Sequence, residues 1–255
     1  MRNTYITAEY EWKSIGLHGC WGLPDAHRDP TNSDNYFIIW QRYAHRPAGR
    51  QVMDLKFSIY NAKTKTFSPE KFVFDPRDVK IQQAHPCWGY SHGKYRVFYC
   101  QETDQGDFIA EVTADRWSDL QSYVVSNNEP VVTPDLRSHP HMVYLPVGSS
   151  NAWLFYITRP LCPPRLAYSI FDKDEGWDKT QNLIPSDKLV GQMEEGSDLG
   201  SALKEGDDIV LYAAVDRGKN GSKAYRFKSS DEGNTWTADP LVVSGIDEPF
   251  RERRL

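Results

Sequence analysis

The sequence predicts an all-β fold, a β-propeller built from four-stranded blades. Three observations lead there. An apolar, β-rich strand recurs four times, as NYFIIWQRY at 35–43, GKYRVFYCQE at 93–102, NAWLFYITR at 151–159 and DDIVLYAAVDR at 207–217. Each copy is followed by a second alternating strand, a polar turn and a short closing strand, so the grammar repeats about every 50 to 60 residues. No segment carries a sustained apolar period of 3.6, which leaves helices without a signal. A four-stranded unit repeating at this interval is the mark of a propeller blade, whereas a sandwich does not repeat its grammar.

Taken in chain order, residues 4–18, TYITAEYEWKSIGLH, read as one or two strands with no full blade around them. The first blade starts at DAH (25–27) and runs through DLKFSIYN to KFVF. The second starts at AHP (84–86) and runs through DFIAEVTA to SYVV; WSDLQSYVV is too short and too β-branched to compete as a helix. The third starts at SHP (138–140) and runs through RLAYSIFD to QNLI. The fourth starts at SDL (197–199) and runs through KAYRFKSS to PLVV. The closing strands end near Phe74, Val125, Ile184 and Val243, and residues 244–255 begin like another innermost strand. An open ring would leave unpaired edges. Both termini are therefore expected to build one last blade together. That makes five blades, with four as the alternative, in a single domain over 1–255.

Composition narrows the function. With 39% hydrophobic and 25% charged residues the chain suits a soluble globular protein. A net charge of −5, with no basic block outside RERRL at the end, argues against a nucleic-acid partner. MRNTYITAEYEW has no apolar core of a signal peptide, and no run of 18 apolar residues offers a membrane span, so no membrane partner is expected and the compartment stays open. Cys20, Cys87, Cys100 and Cys162 form no C-x-x-C pair and read as reduced interior thiols.

The stretch SSDEGNTW, Ser229 to Trp236, reads as a clasp for one turn. Asp231 can accept hydrogen bonds from main-chain N–H groups of its own turn. Gly233 supplies a positive φ, and Trp236 can pack between neighbouring sheets. Echoes occupy the same slot earlier, DKDEGW at 172–177 and TADRW at 113–117. Ser229, Asp231, Gly233, Thr235 and Trp236 match S-x-D-x-G-x-T-W, so the chain resembles the Asp-box propellers, the sialidase-like group. AHPCWGYSHGKYRVFYCQE and EEGSDLGSALKEGDDIVLYAA resemble blade starts of the five-bladed arabinanase and invertase type of glycoside hydrolases. Both resemblances imply action on carbohydrate, at the end of the ring where the innermost strands begin.

Blade geometry sorts the candidate site residues. The starts of the innermost strands supply His27, His85, His139 and Asp198, at separations of 58, 54 and 59 residues. In antiparallel blades the ends of the next strands lie at the same face, and these supply Arg42, Glu102, Arg159 and Arg217, with Asp216 beside the last. Converging cations call for carboxylates or an anionic ligand, and the planar fork of Arg suits a sugar carboxylate. An oligo- or polysaccharide, in particular an acidic one, is thus the expected partner. Trp21, Trp88 and Tyr43 near the mouth can stack on sugar rings or pack between blades.

Several chemistries stay open. Hydrolysis needs two carboxylates; the arabinanase resemblance implies Asp25 in LPDAH as base and Glu195 in MEEGSDL as acid, although His85 stands where those families carry a second-blade Asp. Sialidase chemistry would use Arg42, Arg159 and Arg217 on a carboxylate, but the F/Y-R-I-P motif is absent. Elimination from a uronic-acid polymer would use His85 or His139 as base and Arg159 or Arg217 as clamp. No cofactor is expected, with a divalent metal held by the His set as a further option. A glycan-binding or structural propeller is the non-catalytic alternative.

Overall fold

The computed structural model describes residues 24–45, 51–73, 82–103, 106–120, 130–136, 142–147, 151–158, 164–178, 182–194, 197–216 and 221–241. They form four antiparallel sheets, each built from consecutive segments of the chain. Blade 1 holds β1 (Asp25–Arg28), β2 (Asn35–His45) and β3 (Gln51–Asn61), with β4 (Thr66–Phe67) and β5 (Lys71–Phe72) both pairing with β3. Blade 2 holds β6 (Gln82–Ser91), β7 (Lys94–Thr103), β8 (Gly106–Ala114) and β9 (Pro130–Leu136). Blade 3 holds β10 (Met142–Val147), β11 (Asn151–Thr158) and β12 (Arg165–Asp172), closed by β13 (Gly176–Trp177) and β14 (Asn182–Leu183). Blade 4 holds β15 (Asp198–Glu205), β16 (Asp208–Asp216), β17 (Ser222–Ser229) and β18 (Thr237–Pro240). The chain is an all-β propeller, as the repeats predict.

Alternation explains the strands and their packing. Phe37 and Ile39 on β2, with Leu55 and Phe57 on β3, share one face and are at most 2% exposed. They meet Trp88, Val97 and Tyr99 of blade 2 in one core. Phe98 and Ile109 meet Tyr144, Leu154 and Tyr156 between blades 2 and 3. Phe155 and Tyr168 meet Leu211, Phe227 and Trp236 between blades 3 and 4. The cores are therefore seams between sheets, and the innermost strands β1, β6, β10 and β15 stand next to one another around the hub. Among the described residues no seam of comparable extent joins blade 4 to blade 1. The segments expected to supply a fifth blade, 4–18 and 244–255, lie outside the described residues, among which four blades are seen.

A tryptophan in the segment that follows the third strand closes each described seam. Trp117 of blade 2 lies on Phe37 and Phe57 of blade 1. Trp177 of blade 3 donates Nε1–H to Glu111 of blade 2 at 2.8 Å. Trp236 of blade 4 meets Trp153, Phe155 and Tyr168 of blade 3. The turn at Ser229 is wired as its residues predict. Thr235 N–H donates to Asp231 Oδ1 at 2.8 Å, Ser229 Oγ accepts from Gly233 N–H at 2.8 Å, and Gly233 has φ 88°. In the echo, Asp172 accepts from the N–H groups of Asp174 and Glu175 at 2.7 and 3.0 Å. The Thr235 hydroxyl, donating to Asp231 Oδ2 at 2.6 Å, and then the Thr235 N–H hold Asp231 below the usual carboxylate range, and the two N–H groups do the same for Asp172.

The Trp117 segment and the start of the blade 4 outer strand differ from the sequence reading. Trp117–Leu120 is one helical turn, because Trp117 and Leu120 point the same way at spacing i, i+3 and are both buried in the blade 1–2 seam. A second short helix, Ser186–Val190, follows blade 3. The described outer strand of blade 2 is Pro130–Leu136, while SYVV at 122–125 lies outside the described residues. In blade 4 the outer strand starts at once after the clasp, at Thr237, and not at PLVV, because Thr237 is already opposite Lys228. Cys87 and Cys100 are buried thiols, and Cys20 and Cys162 lie outside the described residues. Among the described residues no helix is long and apolar enough to cross a membrane.

Candidate functional site

The starts of the four innermost strands line one axial pocket of about 270 Å³. Blade 1 contributes Asp25 and His27, blade 2 Pro86 and Cys87, blade 3 Met142 to Tyr144, and blade 4 Asp198 to Ala202. This is the end of the ring that the strand register marks. Asp25 lies opposite Ile39, and Glu102 lies opposite Gln82 at the start of β6. Asp198 lies opposite Ala214. The Ser229 clasp lies at the other end of blade 4, since Ser229 pairs with Ile209 at the start of β16.

Two β-bulges shape the wall. The β6–β7 register slips between Ala84 and Cys87, and the β15–β16 register slips between Leu199 and Ser201. Each inserts one extra residue, which locally unpairs the strand and increases its twist. Pro86 has no N–H for a ladder, which suits a bulge. Gly200 stands at the second bulge, and a Cβ there would be in ordinary contact with the main chain of Tyr212 at 3.4 Å.

Asp25 and His27 alternate on one face of β1, so their side chains meet. Asp25 Oδ1 stands 2.8 Å from His27 Nε2. Asp25 Oδ2 accepts the main-chain N–H of Trp88 from blade 2, also at 2.8 Å. The imidazole stands edge-on to the Trp88 indole, with centroids 5.3 Å apart and planes at 73°. Burial alone would lower the pKa of His27, but the hydrogen bond to Asp25 and its negative charge outweigh it and hold the imidazolium above its usual value. Cys87 goes the other way. Burial first and the charge of Asp25 second push its thiol well above the usual range, so it is a neutral thiol and not a thiolate nucleophile. Tyr144 is pushed up to about 12, mainly by burial, while its hydroxyl bonds Ser91 Oγ at 2.7 Å.

On blade 4, Asp198 Oδ1 accepts its neighbour's N–H, from Leu199, at 2.7 Å. Ser197 Oγ accepts the N–H of Asp216 at 3.0 Å, and Glu194 N–H donates to the carbonyl of Asp216 at 2.9 Å. The approach to β15 is thereby tied to the end of β16. Among the described residues no group of three or more His, Cys, Asp or Glu stands together as a metal-ligand set.

Of the residues marked from sequence, Asp25, His27 and Asp198 are brought to one pocket. Glu195, His139, Arg159 and Arg217 lie outside the described residues. For His85, Arg42 and Glu102 the strands are described but the side chains are not. Trp88 is a correction. It is 1% exposed, covered by His27, Phe37 and Trp117, so its ring cannot stack on a sugar. It serves the pocket through its main chain. Sequence reasoning missed Cys87 and Tyr144 as wall residues, and it missed the Asp25–His27 pair, for which D-x-H at a strand start is the available signal.

No protein-family model matches the chain, and no curated protein matches it in sequence. The fold is similar to solved glycoside hydrolases. A thermostable family-43 glycoside hydrolase matches with TM-score 0.60 at 9% identity, over 88% of this chain and 72% of that one. An endo-arabinase from Bacteroides thetaiotaomicron matches with TM-score 0.60 at 13% identity, over 87% and 80%. An α-L-arabinofuranosidase from Clostridium thermocellum matches with TM-score 0.60 at 12% identity, over 89% and 74%. At these identities the likeness is one of fold.

Proposed function

We propose that this propeller acts on an oligo- or polysaccharide at the axial pocket, as a glycosidase. The observation that carries the proposal is the convergence of Asp25, His27 and Asp198 from two different blades on one pocket at the hub. Propellers of this shape include the glycoside hydrolases named above. Asp25 is the carboxylate held for proton transfer and Glu195 is the acid, following the arabinanase resemblance. Arg159 and Arg217 are our candidates for holding an acidic sugar, with Arg42, Glu102, His85 and His139 as further candidate contacts by repeat register. At about 270 Å³ the pocket lies just below the range of ~300 to ~1,000 Å³ common for ligand sites.

The test is a degradation screen on arabinan, arabinoxylan, xylan and uronic-acid polymers, read by release of reducing ends, together with a glycan array. Hydrolysis of one of these, lost at least ~100-fold in Asp25→Asn and in Glu195→Gln, is the expected result. A wild-type protein that neither degrades nor binds any glycan would refute the proposal. One observation favours a second reading, glycan binding without hydrolysis: each oxygen of Asp25 already has a donor. In that case the array is positive, the degradation screen is blank, and Asp25→Asn weakens binding.

A further inference from the structure

Asp25 is poorly placed to work alone. One oxygen takes His27 and the other takes the Trp88 N–H, so the carboxylate is anchored to blade 2 and capped by an imidazole. His27 is the outer partner. Its side chain is 51% exposed against 23% for Asp25, and both line the pocket. Nε2 faces Asp25, the ring is fixed edge-on by Trp88, and Nδ1 has no partner among the described residues.

We infer that Asp25 and His27 form a proton-exchange dyad, in which Nδ1 of His27 takes the proton from a water or ligand hydroxyl in the axial pocket and Asp25 positions the ring. This rests on the reading of the axial pocket as the working site and gives the base role to His27. In the neutral ring the proton sits on Nε2 toward Asp25, leaving the Nδ1 lone pair for the hydroxyl. The O–H bond breaks with its electron pair left on oxygen, the Nδ1–H bond forms, and the resulting imidazolium faces the Asp25 carboxylate. The proton then passes to a leaving oxygen or to water, with nothing oxidised or reduced. Other titratable groups around the pocket are Cys87 on β6, Tyr144 on β10 and Asp198 on β15; among its described lining residues there is no Lys or Arg to compete for Asp25. The raised pKa of His27 agrees with this pairing.

The tautomer is measured on the wild-type protein by ¹⁵N–¹H correlation of the imidazoles, with His27→Gln assigning the signal. Accessibility of Nδ1 is measured by carbethoxylation with diethyl pyrocarbonate, where the lone pair forms an N–C bond as ethyl carbonate leaves, located by peptide mass spectrometry across pH. Neutral His27 protonated on Nε2, titrating above 6.5, and modified along the same titration is the expected result. In Asp25→Asn both profiles should move to lower pH. A neutral ring protonated on Nδ1, an unmodified His27 beside modified surface histidines, or profiles unchanged by Asp25→Asn would overturn the dyad. None of these readouts needs a glycan, so a blank degradation screen and a failed dyad are separate results.

Discussion

Replacing Gly89 by alanine puts a methyl group where the ring of Tyr144 stands. A Cβ at Gly89 falls 2.1 Å from Cδ1 and 2.6 Å from Cε1 of that ring. Ordinary carbon contacts lie at ~3.5–4.0 Å, so a gap of about 1.5 Å must open between β6 and β10. Tyr144 is badly placed to yield. It is 6% exposed, its hydroxyl bonds Ser91 at 2.7 Å, and the ring packs on Phe98 with centroids 4.9 Å apart. Overpacking costs ~1–3 kcal/mol, and losing the buried hydroxyl bond adds about 1 kcal/mol. Gly89→Ala should therefore destabilise by ~2–4 kcal/mol, or roughly 5–15 °C in Tm for a domain of this size. Urea unfolding and scanning calorimetry measure it. In a Tyr144→Ala background the methyl finds space and its cost should fall below ~0.5 kcal/mol. A cost under ~1 kcal/mol in the wild type, or an equal cost in both backgrounds, would refute the close approach of blades 2 and 3.

Two further outcomes follow from the same seams. Trp236→Ala empties the clasp between blades 3 and 4, where the indole is 6% exposed, and should cost ~3–5 kcal/mol in urea unfolding; a change below ~1 kcal/mol would mean the tryptophan does not hold the seam. Tyr95 and Tyr144 are pushed up to about 12, chiefly by burial, while in the unfolded chain tyrosine ionises near 10. Above that value the unfolded state binds fewer protons than the folded one, so stability is full below about pH 10 and is lost as pH rises toward 12. Urea midpoints across this window should fall less steeply for Tyr144→Phe than for the wild type, and identical slopes would show that Tyr144 is not buried.

Local patterns explain what could be read early. The strands at 35–43, 93–102, 151–159 and 207–217 are legible because period-2 alternation is written in the chain itself. The clasp at Ser229 is legible because Asp231 bonds the N–H of Thr235 only four residues on. Even the convergence of His27 and Asp198 follows from repeat register, which places every blade start at the same end of the ring, whereas Asp25 came from the arabinanase resemblance. Less legible was the helical turn at Trp117, where only four residues carry the pattern and burial against blade 1 decides the state.

The sequence alone determined the all-β repeat, the turn chemistry and the end of the ring to inspect, since these depend on contacts within a hairpin. Tertiary structure decided that Trp88 is core and no sugar platform, that its N–H fixes a carboxylate 63 residues away, and that His27 stands outside Asp25. Those facts depend on how one sheet docks against the next. A docking angle is set by the sum of many side-chain contacts across a seam, and no short stretch of chain carries that sum.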